Sequence, residues 1–583
     1  MRIFFEGQSY SPELLENYGL ESYVYTSMDK VEGILPYVGY IYSPKINDTI
    51  FILPKVFLFE GTGNLDDKKC PLEIAFGKYA INEVIEITQE HNPLKEDGLD
   101  RVLFSLSTWI YLAIDKYSVR HPQSEIIRRA DIRRVNSDRG EDNQTLLDTI
   151  LSLIEFHKEH AKLFTYISII NSSGNNKIHW GKTISKVQTI IQNNEPFYAE
   201  FRNKNKAINY DEELIVIFYS VLEYLRMRYF FPIRANLNYE LIKPAKIDAI
   251  IESKRGTKLL RSIRRKYFKD ELVLLWKLLY AFFDKSETIR SGKSREEALL
   301  ASKFDLVFED MVDNLIGDDI FSSLKENEDG KEIDHIYKDK SLIDDSQIYY
   351  IGDSKYYFYG SNLDDKSIYK QFTYAKNIIQ LNINIFNTPS CKRKKQEQEI
   401  INNVRYRDPL TEGYNLTPNF FIRGYIKAED LADGHACYTE DRLSKNNQII
   451  PSNTHFINRP FDRDTLVLQA YNINFLFVLA SYITNIDNNI FKQRIHDKVR
   501  TDLLNVYNTK YEFFRVTPIG DIKSFVNTHF EKYIGKMYHP ENAPFIWFAF
   551  EKGTISIEIL EKELENQAYV KQTKLNISPN HYK

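Results

Sequence analysis

The stretch Lys331 to Tyr357, KEIDHIYKDKSLIDDSQIYYIGDSKYY, holds three residues whose types and spacing suit phosphodiester chemistry: Asp334, Asp353 and Lys355. Ile333 to Tyr337 reads as one strand and Gln347 to Tyr356 as the next, joined by a polar turn, so the segment predicts a β-hairpin. Side chains alternate along a strand, so Asp353 and Lys355 share a face. The hairpin then carries Asp334 across to them. Two carboxylates can hold a hard divalent cation such as Mg²⁺, with Mn²⁺ able to substitute, and the Ser354 carbonyl could add an oxygen. A metal there would lower the pKa of a bound water and neutralise charge growing on a phosphate. Lys355 would orient or help deprotonate that water and stabilise the transition state.

Two helices are needed to frame such a hairpin. Upstream, LVFEDMVDNLI has helical period, with Phe308, Val312, Leu315 and Ile316 as its buried stripe. Glu309 sits at the edge of that stripe, where its carboxylate could reach an adjoining cleft as an auxiliary acid and a third metal ligand. Downstream, a helix from about Lys366 puts Gln371 and Tyr374 one turn apart on one face, able to contact the DNA backbone or to brace the site.

The spacing is the D-x(n)-D-x-K signature of the PD-(D/E)xK nuclease superfamily. A bare D-x-K is also what an exposed hairpin with an ordinary surface Asp-Lys pair looks like. Here the Glu-bearing helix, the apolar IYYIG run and the Gln/Tyr helix come in the superfamily's order, although Ile333 stands where a proline is common. Three segments resemble the LlaJI family of restriction endonucleases, relatives of the McrC nuclease subunit. They are YVGYIYSP with FILPKVFL (Tyr37 to Leu58), FEDMVDNLI through IYKQFTYA (Phe308 to Ala375), and NRPFDRDTLVLQAYNINFLFVLASYI (Asn458 to Ile483). The resemblance implies a DNA-cleaving subunit acting on double-stranded DNA with a separate McrB-like AAA+ GTPase. It implies Asp334, Asp353 and Lys355 as the catalytic set. No G-x-x-x-x-G-K-[ST] loop is present, so this chain is not expected to be the NTPase.

Composition agrees with a folded protein. The 583 residues are 43% hydrophobic and 27% charged, with a net charge of -4. No apolar run approaches the roughly 20 residues of a membrane span, and the start lacks the apolar core of a secretory signal. Three cysteines, Cys70, Cys391 and Cys437, form no CxxC pair, which argues against a disulfide framework and for a reducing cytoplasm. Basic residues are segregated. Ser253 to Lys269 carries eight and no acid, among them Lys254, Arg255, Lys258, Arg261, Arg264 and Arg265. This run reads as an amphipathic helix that contacts phosphate, on DNA or on a nucleotide at a partner interface; its bland alternative is a solvated helix face. Arg120, Arg128, Arg129, Arg133 and Arg134, and Lys392 to Lys395, make further basic stretches, and an arginine finger for a partner's nucleotide could come from the Ser253 to Lys269 run or from Arg128 to Arg134. Asp462 and Asp464 suggest either a second metal pair or a capped turn. His435, Cys437 and His455 are too few for a zinc site.

The expected class is α+β and multidomain. Residues 1–95 read as a β-rich domain, 96–290 as a helical region, and 291–583 as a PD-(D/E)xK-like nuclease domain with a mixed sheet flanked by helices and a C-terminal elaboration. A helix is expected from about Glu297 to Leu315. Two other functions stay open: a catalytically weak subunit that binds DNA and stimulates the AAA+ partner, and a stand-alone repair-type nuclease.

Overall fold

A computed structural model describes residues 2–24, 33–43, 45–46, 48–58, 84–85, 99–130, 146–160, 165–172, 177–209, 212–229, 238–290, 297–325, 332–358, 365–387, 404–426, 443–445, 458–484, 489–565 and 567–576. The protein is mixed α and β. Short β-branched and aromatic runs near the start form β1 (Arg2–Phe5), β2 (Val38–Ser43) and β3 (Asp48–Leu53). After helix α1 (Leu99–Arg120) comes β4 (Ile127–Ala130). Next come α2 (Leu146–Glu159), α3 (Glu213–Tyr229), α4 (Pro244–Glu252), α5 (Gly256–Ile263) and α6 (Asp270–Arg290); apolar spacing predicts α2, α3 and α6, and the basic amphipathic run predicts α5. Between α2 and α3 the helical expectation fails. Tyr166–Asn171 pairs with Asn203–Ile208, and Thr189–Gln192 pairs with Glu195–Tyr198.

The helix expected from Glu297 is instead strand β5 (Glu297–Ala301) followed by helix α7 (Phe304–Ile316). The five residues EALLA are too short for periodicity to separate strand from helix, and pairing decides. β5 is antiparallel to both β2 and β4, completing a five-stranded sheet in the order β1-β3-β2-β5-β4. This sheet therefore takes strands from all three of the expected regions.

The second sheet carries the hairpin. It consists of β6 (His335–Lys340), β7 (Gln347–Lys355), β8 (Pro418–Tyr425), β9 (Leu443–Lys445) and β10 (Val467–Asn474), with helix α8 (Asp365–Asn387) between β7 and β8. Its order is β6-β7-β8-β10-β9. The β7/β8 and β8/β10 pairs are parallel and the two outer pairs antiparallel. Residues 348–354 of β7 are buried on both faces, as befits a strand covered by helices. α7 packs on β6 and β7, and α8 on β7. Gly352 lets β7 lie close to its neighbour, since a Cβ there would meet Phe420 Cε2 at 2.4 Å.

Helix α9 (Phe475–Thr484) returns beside α1 and α7, and helix α10 (Asn489–Lys510) runs against α7. Asp310 on α7 joins three of these helices, accepting from Tyr482 Oη and pairing with His121 Nε2 at 3.0 Å and Arg120 at 3.4 Å. His496 on α10 donates from Nε2 to the Ile316 carbonyl at 2.8 Å and stacks on Tyr337 with ring centroids 3.6 Å apart. Arg500 donates to the Ser341 carbonyl at 2.9 Å. α10 thus clamps the end of α7 and the turn of the hairpin. A last antiparallel sheet, from β11 (Tyr511–Pro518), β12 (Met537–Tyr538), β13 (Ile546–Glu551) and β14 (Ala568–Thr573), has the order β12-β13-β11-β14.

Candidate active site

The hairpin forms in the expected register, with one adjustment. β6 begins at His335, so Asp334 stands on the bend just before the strand rather than within it. His335 faces Gly352 across the ladder, which sets Asp334 opposite the Asp353 end of β7. Asp334 Oδ2 accepts from the Ser354 backbone N–H at 2.8 Å, inside the D-x-K segment itself. Lys325 Nζ holds the Asp334 carbonyl at 2.9 Å.

Asp353 and Lys355 share a face, as strand alternation requires, and form a close ion pair. Their side chains are only 3% and 12% exposed, so the pair is screened little by water. Burial, then the Asp334 carboxylate, push the Asp353 carboxyl up; Lys355 and Lys370 offset this in part. Burial pulls Lys355 down, but Asp353 and Asp334 outweigh it and hold the ammonium above its usual value. Glu309 on α7 belongs to the same electrostatic group. Burial raises its carboxyl first, and Asp334, Asp305 and Asp353 raise it further against Lys355. The structure therefore brings Glu309, Asp334, Asp353 and Lys355 together.

Gln371 and Tyr374 are placed differently from a DNA-contacting pair. Both are fully buried. Gln371 Nε2 donates to the Ile351 carbonyl at 3.1 Å and to Asn419 Oδ1 at 3.3 Å, tying α8 to β7 and β8. Of their two expected roles, burial leaves bracing. Sequence reasoning missed the solvent-side member of this helix, Lys370. Its Nζ lies 5.3 Å from the Tyr374 ring, and Tyr374, then Asp353 and Asp334, raise it against the downward pull of burial. The signal was present: Lys370 is one helical turn before Tyr374 and points as Tyr374 does.

The carboxylates are hard oxygen donors close enough to raise one another's pKa in a largely buried site, a chemistry that a divalent cation would relieve. Among the described residues, however, no three of His, Cys, Asp or Glu are drawn into a ready cage. Lys355 pairs with Asp353, and Asp334 Oδ2 accepts the Ser354 amide N–H. Mg²⁺ commonly needs only one or two protein carboxylates, with waters and substrate phosphates completing the shell.

The basic run forms α5 and the turn after it, packed on α6. Arg261 donates from Nε to Tyr280 Oη at 3.1 Å, and Arg264 lies over the Trp276 ring at 5.2 Å. Lys254, Arg255, Lys258 and Arg265 project into solvent. Among the described residues, no hydrogen bond or ion pair joins this helix to the hairpin's carboxylates. Asp462 Oδ1 accepts from the Asp464 N–H at 3.0 Å and Asp464 pairs with Lys376 at 2.7 Å, a capped turn with an ion pair. Arg128 and Arg129 fall on β4. Arg133, Arg134, Lys392 to Lys395, His435, Cys437 and His455 lie outside the described residues. No helix among those described is long and apolar enough to cross a membrane.

No family model matches the chain, and no curated protein does. Among solved structures, a half-complex from a tetradecameric assembly of Thermococcus gammatolerans McrB AAA+ hexamers with bound McrC aligns with 86% of this chain and 99% of that one. The alignment has 12% identity and a TM-score of 0.26, a likeness too loose to fix fold or function.

Proposed function

We propose that this chain is the Mg²⁺-dependent DNA endonuclease subunit of a restriction system, activated by a McrB-like AAA+ GTPase. The observation that supports the reading is the convergence of Asp334, Asp353, Lys355 and Glu309 on one hairpin and the helix beside it. Asp334 and Asp353, with Glu309 behind them, would hold the cation. The cation would supply Lewis-acid stabilisation of phosphate charge and an acidified water. Lys355 places its ammonium where charge grows on the scissile phosphate, and Lys370 extends that positive edge. Gln371 braces α8 against β7 and β8. The partner and the double-stranded DNA substrate rest on the sequence resemblance and on the exposed cations of α5.

The test is cleavage of a plasmid panel by the purified chain with Mg²⁺, with and without the AAA+ neighbour and GTP or ATP, beside Asp353→Ala. We expect cleavage that needs metal, partner, nucleotide and Asp353, with the variant folded and still partner-bound. Cleavage by the chain alone would indicate a stand-alone nuclease. Undiminished cutting by Asp353→Ala would sink the site. Intact partner binding without any cleavage would indicate a regulatory subunit.

A further inference from the structure

A ring of hydrogen bonds lies behind the candidate carboxylates and starts and ends on Asp334. Lys325 Nζ holds the Asp334 carbonyl at 2.9 Å and Asp313 Oδ2 at 2.5 Å. Asp313 Oδ1 meets His335 Nδ1 at 3.2 Å. His335 Nε2 meets Ser354 Oγ at 2.6 Å. The Ser354 N–H then returns to Asp334 Oδ2 at 2.8 Å. Asp313 is on α7, one turn after Glu309; Lys325 ends the short helix Ser322–Lys325.

Asp313, His335 and Ser354 have the order of a nucleophilic triad. Burial argues against that chemistry. His335 is 0% and Ser354 4% exposed, so no substrate carbonyl or phosphate can reach the hydroxyl. Strand alternation also turns Ser354 away from the face that carries Asp353 and Lys355. What the ring does is mechanical. With Nδ1–H donating to Asp313, Nε2 accepts the Ser354 hydroxyl, and one imidazole orientation satisfies both. That fixes the peptide unit between Asp353 and Lys355. Lys325 fixes the Asp334 main chain, and the Ser354 amide fixes its carboxylate. The spacing between the two strands' carboxylates is thereby set from behind.

We propose that His335 is a positioning residue which, through Ser354 and Asp313, sets the Asp334 carboxylate relative to the Asp353–Lys355 pair for divalent-cation binding and turnover. The inference rests on the nuclease reading above. Its test uses the full chain with its partner, in the parent and in Ser354→Ala, His335→Ala, His335→Gln and Asp353→Ala. Three quantities are measured: kcat and KM for plasmid cleavage, Mn²⁺ affinity by calorimetry, and Tm. Outer partners of metal ligands typically matter by roughly 10- to 100-fold. We expect Ser354→Ala and His335→Ala to lose kcat and Mn²⁺ affinity on that scale, with KM nearly unchanged. His335→Gln, which can still donate to Asp313 and accept from Ser354, should recover much of the loss. Parent-like kcat and Mn²⁺ affinity in Ser354→Ala and His335→Ala would overturn the proposal while leaving the nuclease reading intact. So would losses that follow Tm alone and are not recovered by His335→Gln. A parent that neither cleaves nor binds Mn²⁺ would overturn the reading and the proposal together.

Discussion

His496 shows what one buried side chain does to the pH response of the whole protein. Burial is the main cause of its lowered pKa, and the hydrogen bond to the Ile316 carbonyl only partly opposes it. The native state therefore keeps this ring neutral below pH 6.5, where the unfolded chain takes up a proton. Stability from this site is full at neutral pH and falls as pH drops from about 6.5 toward the lower native value. We expect His496→Gln, measured by Tm at pH 7.5 and 5.5, to flatten part of the acid-side decline; an unchanged slope would refute the assignment. At this scale the sequence was legible where relations are local. The Asp353–Lys355 pairing follows from strand period alone. Lys370 was legible by the same local logic, one helical turn before Tyr374, whereas Lys325, His335 and the burial of Gln371 were not, because each depends on which distant element arrives beside it.

Among the elements, β7 carries a tight packing demand beside the candidate carboxylates. Gly352 stands against the Phe420 ring of β8, with no room for a Cβ. Gly352→Ala forces a shift in a strand whose next residue is Asp353, and overpacking of this kind costs about 1–3 kcal/mol. We expect a lower denaturation midpoint in urea, and a loss of any Asp353-dependent activity larger than the stability loss explains. Unaltered stability would mean that β7 and β8 can separate freely. The hairpin itself was readable from its alternation and polar turn, and α7 from its apolar stripe. β5 was not, because EALLA fits either class until β2 and β4 are beside it. The two strand pairs between α2 and α3 were also unread, lying inside a region whose dominant period is helical.

Across the molecule, the N-terminal sheet is tied to the residue that follows Lys355. Glu6, just past β1, accepts from Tyr356 Oη, and the Lys55 N–H donates to both Glu6 Oε2 at 3.2 Å and Tyr356 Oη at 3.0 Å. Tyr356 immediately follows Lys355 and packs on Phe304 and Phe308 of α7. Burial raises the Glu6 carboxyl above its ordinary value despite these partners. Tyr356→Phe removes a hydroxyl from two buried partners, a loss of about 1–3 kcal/mol. In a double-mutant cycle with Glu6→Gln, we expect a coupling of roughly 0.5–3 kcal/mol. Strict additivity would show that the N-terminal sheet and the hairpin are energetically independent.

The place of β5 in that sheet also governs the order in which the protein can be made. β2 leaves the ribosome early, yet its antiparallel neighbour β5 follows about 250 residues later. At roughly 5–20 residues per second, the edge of β2 stays open for some tens of seconds of synthesis. An unpaired strand edge of this kind recruits other chains. A fragment ending at residue 290 freezes that interval permanently, so the chain cannot be divided at the polar segment before β5 into pieces that each close their own sheet. The amino-terminal sheet is completed only once residue 301 has emerged, by the strand that leads into α7.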